Sequence, residues 1–221
     1  MFDVKNIGLI QYTDALKIQQ TTHHNILNGE QNSLLFCQHD HVFTLGKSAN
    51  ATHLLLKPNL LTSIGATLHQ TDRGGDITYH GPGQLVCYPI INLRKIGVGV
   101  RKYVEILEDS IINTLAHFKI KAYQIEGLTG IWVGNKNEIP RKIGAIGIRI
   151  KNGVSMHGFA LNISTNLDYF NYIIPCGISD KQVTSIKNEK NNCTMDEFKD
   201  QFVEKFTELW IGQSTNSENS L

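Results

Sequence analysis

The sequence predicts an α/β fold gathered into one domain. Three observations carry this: two stretches with apolar side chains at helical spacing, short apolar runs between them, and a hairpin signal at Asn152 and Gly153. With 221 residues, 41% hydrophobic and 19% charged, the chain can bury a sizeable core.

Residues 7–12 and 33–38 read as strands flanking a helix that begins near Thr13 and stops at Gly29, a residue suited to the left-handed conformation that ends helices. Residues 84–93 form an apolar run in which Pro89, lacking an N–H, points to an edge strand or a bulge. Val104, Leu107, Ile111, Leu115 and Phe118 then share one helical face. Between residues 142 and 163, two apolar runs flank Asn152 and Gly153, the pair favoured where both turn residues need positive φ. A two-residue turn there sets Lys151 opposite Val154, Gly147 opposite Gly158 and Ala145 opposite Ala160. Four small residues therefore share one face, where either another backbone or an extended ligand must approach closely. Thr194 and Glu197 form a capping box ahead of the stripe Phe198, Phe202, Phe206 and Leu209. The polar residues 212–221 carry too little apolar surface to hold themselves in place and are expected to fray, leaving residues 1–211 as one domain.

Charge narrows the partners. Lys and Arg number 21 against 20 Asp and Glu, with no basic stripe to neutralise phosphates, so nucleic acid is disfavoured. No apolar run approaches the roughly 18 residues that span a bilayer, and the first residues lack a signal-peptide core, so no membrane partner and a cytoplasmic location are expected. Cys37, Cys87, Cys176 and Cys193 have neither zinc-ligand nor disulfide-framework spacing, and no metal is assigned to them or to His39 and His41.

Chemistry concentrates in three places. Arg73, Gly74, Gly75, Asp76, Ile77, Thr78, Tyr79 and His80, followed by Gly81, Pro82, Gly83 and Gln84, mix glycines with donors and read as a binding loop or as a polar surface turn. The run matches neither Gly-rich nucleotide motif, so ATP is not expected. Cys176 lies between Pro175 and Gly177, in a turn that could present a thiol; packing is the plainer role. A nucleophilic thiol needs a nearby cation or base, for which Lys142, His80 and His157 are the candidates. Lys142 alone could equally extend its stem from a strand end.

Taken in order, residues 73–84, Val42 to Gly46, the Gly-Ile-Trp-Val-Gly run at 130–134, Lys142 to Gly147, His157 to Asn162 and Pro175 to Gly177 resemble the lipoyl(octanoyl) transferase family. The resemblance runs from about Tyr12 to Ser185. It implies a biotin/lipoate protein ligase-like fold, a mixed sheet with packed helices, and transfer of octanoate from octanoyl-acyl carrier protein to a lysine. The acceptors would be apo lipoyl domains of 2-oxoacid dehydrogenase complexes and the glycine cleavage H protein. By position, Cys176 matches the acyl-thioester nucleophile and Lys142 the residue that stabilises its thiolate. Residues 73–80, Ala145, Ile146 and Gly147, and Gly158, Phe159 and Ala160, match the substrate-binding segments, with His157 in support. Thioester exchange needs no ATP. An ATP-dependent ligase on the same scaffold, a Cys/His hydrolase and a non-catalytic carrier-binding module are the rival readings.

Overall fold

The computed structural model describes residues 2–135, 138–174 and 182–218, with side chains to Gln213. Cys176, with Pro175 and Gly177, lies outside the described residues.

The chain opens with β1 (Asp3–Ile10), α1 (Tyr12–Leu27) and β2 (Ser33–His39). Asn28 and Gly29, the latter at φ +106°, end α1 where the sequence places its stop. β3 (Val42–Leu45), β4 (Thr67–Gln70) and β5 (Ile77–His80) make a small sheet in the order β4-β3-β5. Next come β6 (Gln84–Ile90), α2 (Val100–His117), β7 (Ala122–Ile125), β8 (Leu128–Val133), β9 (Arg141–Lys151) and β10 (Val154–Asn162). After β11 (Gln182–Val183), α3 (Met195–Glu218) completes the chain. The large sheet runs β1-β2-β6-β10-β9-β8-β7, with β11 added beside β9.

The β9–β10 hairpin has the register its turn residues dictate: Lys151 faces Val154, Gly147 faces Gly158 and Ala145 faces Ala160. Asn152 and Gly153 both take positive φ. β6 departs from expectation, because it lies in the middle of the sheet, with Leu34 of β2 opposite Pro89 on one side and β10 on the other. A central strand tolerates this proline because the ladder to β10 stops at Cys87 opposite Phe159 and resumes where Ser155 N–H donates to Ile91 O at 2.9 Å. Ser155 Oγ spans the gap by donating to Pro89 O at 2.7 Å. His157 sits inside it at φ +57°.

Each face of the large sheet has its own cover. α2 and α3 bury Tyr103, Leu107, Ile111, Phe198, Phe202 and Phe206 against Phe159, Ile131 and Ile143. α1 packs on the other face over Leu35, Val86, Tyr88 and Ala160. A third cluster, with Phe43, Ile77, Tyr79, Phe170 and Ile173, ties the small sheet to the chain before residue 175. The capping box forms, with Thr194 N–H donating to Glu197 Oε2 at 2.8 Å and Glu197 N–H to Thr194 Oγ1 at 3.3 Å. α3 continues past Trp210 to Glu218, into residues expected to fray, since adding a turn to an established helix costs far less than starting one. No described helix is long and apolar enough to cross a membrane.

Candidate active site

Strand β9 brings the candidate residues together, because it carries Lys142 near one end and the small residues Ala145 and Gly147 further along. These residues and their partners on β10, Gly158 and Ala160, line a cavity of about 540 Å³ including its mouth. Arg73, Gly75, Asp76, Ile77, Thr78 and His80 form its opposite wall, and Tyr12, Val86 and Tyr88 line it from α1 and β6. Small side chains leave room for an apolar chain, and they also satisfy the backbone. A Cβ on Gly158 would lie 2.1 Å from Cys87 O, and one on Gly147 would lie 3.0 Å from Gly74 O. Ligand space and close backbone approach thus coexist on this face.

Alternation along the strands sorts the expected residues. Ile146 and Phe159 border the cavity, yet their side chains belong to the core under α2 and α3. Tyr79 is fully buried in the third cluster, where its hydroxyl meets His41 Nδ1 at 2.7 Å, and it does not line the cavity. Gly74 does not line it either; its N–H donates to Ile148 O at 2.9 Å, which joins the loop to β9.

Arg73 has a different task from the one its charge suggests. Its Nη2 donates to Thr44 O at 2.7 Å and to Asp76 O at 2.8 Å, and its Nη1 donates to Gly74 O at 2.9 Å. The guanidinium therefore holds its own loop on β3. Asp76 Oδ1 accepts from Ile77 N–H at 2.7 Å, and Oδ2 pairs with His53. Gly46 closes the other side, where a Cβ would lie 2.1 Å from Gly75 O. These contacts explain why the Val42–Leu45 strand ending in Gly46 accompanies the loop.

Both candidate histidines are held neutral. Burial drives His80 down to about 3, and its Nδ1 lies 2.8 Å from Gln84 Oε1. Gln84 Nε2 passes the contact to Asn162 Oδ1 at 2.9 Å, and Asn162 Nδ2 donates to Thr184 O at 2.9 Å. Burial, then Arg73 and Arg149, lower His157 to about 4. Its Nε2 meets Asp72 Oδ1 at 2.7 Å, and Asp72 also pairs with Arg149. So weak a base as either is a poor acceptor for a thiol proton near neutrality.

Lys142 is different. It is only 8% exposed and lines the cavity. Its Nζ stands over the face of the Trp132 ring, 5.1 Å from the centre. Gly130, at φ +130°, makes the space: a Cβ there would lie 2.4 Å from Lys142 Cε and 3.1 Å from Nζ. On its other edge β9 meets β11, with Val183 opposite Lys142 and Thr184 N–H donating to Lys142 O at 2.9 Å. Residues 182 and 183, the first described after 175–181, thus stand beside Arg141 and Lys142. On the other side of that stretch, Ile174 N–H donates to His53 O at 2.8 Å.

The sequence reading missed Gly130 and Trp132 as site residues, though both stand in the run at 130–134; only pairing across β8 and β9 shows what they touch. Cys37, Cys87 and Cys193 are buried thiols whose environments push their ionisation up, so each serves packing. His39 is likewise structural, joining Ile10 O at 2.8 Å and the Tyr88 hydroxyl at 2.7 Å.

Residues 11–207 match the family model of the lipoyl protein ligase A/B catalytic domain. The chain is 48% identical over 187 residues to an octanoyltransferase of Bacteroides fragilis, covering 82% of this chain and 85% of that one. It superposes on a bi-partite lipoate protein ligase from Thermoplasma acidophilum with a TM-score of 0.72 at 15% identity, over 95% of this chain and 84% of the other. A biotin protein ligase from Aquifex aeolicus gives a TM-score of 0.55 at 10% identity, over 97% of this chain and 72% of that one. At these identities, the two structures bear on the fold, which is the one expected from the motifs.

Proposed function

The chain belongs to the lipoyl(octanoyl) transferase family, within the lipoyl protein ligase A/B catalytic domains, and is an acyltransferase; we propose that its acyl group is octanoyl, carried on Cys176. The donor in this reading is octanoyl-acyl carrier protein, and the acceptor is the ε-amine of a lysine on an apo lipoyl domain. The observation that carries it is the placing of the Lys142 amine in an apolar cavity lined by Ala145, Gly147, Gly158 and Ala160. A straight fatty chain fits such a lining, and its reactive carbonyl would then lie toward the amine.

The cycle balances without ATP or a metal. Cys176 thiolate attacks the thioester carbonyl, the bond to the carrier's sulfur breaks, and the Lys142 ammonium gives that sulfur its proton. The octanoyl group is then a Cys176 thioester, and Lys142 is neutral. The target lysine enters as a neutral amine and attacks the same carbon; its surplus proton passes to Lys142 as Cys176 leaves. One thioester has become one amide, and the ammonium–thiolate pair is restored. Support for Cys176 comes from β11, whose Val183, seven residues after it, lies opposite Lys142.

Incubation with octanoyl-acyl carrier protein and apo lipoyl domain, with ATP omitted, is expected to add one octanoyl group to the lipoyl domain by mass. Product only with free octanoate and ATP would make the chain a ligase. Free octanoate with an unmodified lipoyl domain would make it a hydrolase. Within the cavity, Ala145→Leu should shift preference toward shorter acyl chains. Displacing two or three methylenes at about 0.8 kcal/mol each costs octanoyl about 2 kcal/mol, roughly thirtyfold in kcat/KM. An unchanged chain-length profile would place the acyl chain elsewhere.

A further inference from the structure

Glu108 stands where an α2 residue should be apolar. It falls on the stripe of Val104, Ile111 and Leu115 and is 9% exposed. Its Oε1 accepts from Gly130 N–H at 3.3 Å. Gly130 is the residue whose missing Cβ admits the end of Lys142, at 2.4 Å from Cε and 3.1 Å from Nζ. A carboxylate and an amine of opposite charge therefore approach one glycine backbone from different elements, both shielded from solvent.

We propose that Glu108 is a positioning residue for acyl transfer, the buried counter-charge that keeps the Lys142 proton on nitrogen. The proposal rests on Lys142 being the proton partner of Cys176. Ammonium with thiolate and amine with thiol contain the same number of protons, so pH cannot choose between them; a nearby anion can. Among the described residues, several charges act on Glu108 and Lys142. Burial above all holds the Glu108 carboxyl above the usual carboxylate range, and Asp109 and Glu105, on α2 itself, add to this, while the Gly130 N–H and Lys142 favour its charge. Arg141, next to Lys142, is paired with Glu138 at 3.1 Å and Glu189 at 3.0 Å. Two opposing carboxylates and burial make retaining an anion here costly, which fits a charge kept for a purpose.

Glu108→Gln tests this, since Gln keeps the volume and the acceptor for Gly130 N–H while removing the charge. The readouts are the rate of octanoyl-enzyme formation and the rate of iodoacetamide alkylation at Cys176, located by peptide mass, across pH 5 to 10. Both rates should fall roughly tenfold or more near neutrality, with KM nearly unchanged. Glu108→Asp, which keeps the charge but draws it back, should fall between, and it decides the matter if the Gln variant does not fold. In a Lys142→Met background, Glu108→Gln should change nothing further. Parent-like rates and pH profiles in both Glu108 variants, with Lys142→Met impaired, would overturn the Glu108 role and leave the pair standing. An equal loss with and without Lys142 would overturn it too, by showing an effect on the fold alone. A parent-like Lys142→Met would instead overturn the reading beneath it.

Discussion

Lys142→Met should lower octanoyl transfer by a factor of about 10² to 10⁴, the range general acid–base groups contribute, with little loss of fold. Methionine retains the buried stem against Gly130 and Trp132, so packing is nearly conserved while the charge and the proton are lost. Both halves of the cycle suffer. The departing carrier sulfur loses its proton donor, and the attacking amine loses its acceptor. Single-turnover kinetics separate the halves, and a melting curve guards against misfolding. Near-parent rates in a folded variant would mean that the proton travels through another group. The neutral, weakly basic His80 and His157 are poor substitutes, which is why the expected loss is large.

Cys176→Ala should cost more, roughly 10⁴ or greater, because it removes the proposed nucleophile and not merely the group proposed to tune it. The other cysteines cannot stand in for it. Cys37, Cys87 and Cys193 are buried, their ionisation is pushed up, and none lines the cavity. Octanoyl transfer should fall to the background of direct aminolysis in the assay with both carrier domains. Retained turnover would point to direct attack by the acceptor lysine on the carrier thioester, with Lys142 as its base.

Local chemistry made much of this fold legible. Asn152 and Gly153 fix the hairpin register, and that register alone gathers Ala145, Gly147, Gly158 and Ala160 on one face. Thr194 and Glu197 mark the start of α3 for the same kind of reason. Long-range pairing was not legible. Pro89 reads as a sign of an edge strand or a bulge until Ser155 is seen bridging the gap in its ladder, 66 positions away. Arg73 reads as one donor of a binding loop or polar turn, yet it donates to Thr44, 29 positions away, and to its own loop. Trp132 and Gly130 became site residues only when β8 paired with β9. Glu108 left a faint trace as a carboxylate on an apolar helical stripe, and what it faces follows from the packing of α2 on β8.

Intact-mass measurement after brief exposure to octanoyl-acyl carrier protein alone, without acceptor, bears most directly on the transfer of an acyl group through sulfur. One octanoyl addition is predicted on the parent, mapping to the peptide that contains Cys176, released by hydroxylamine, slowed in Lys142→Met and missing in Cys176→Ala. The same adduct persisting on Cys176→Ala, or a parent that octanoylates lipoyl domain without ever acquiring the adduct, would contradict it.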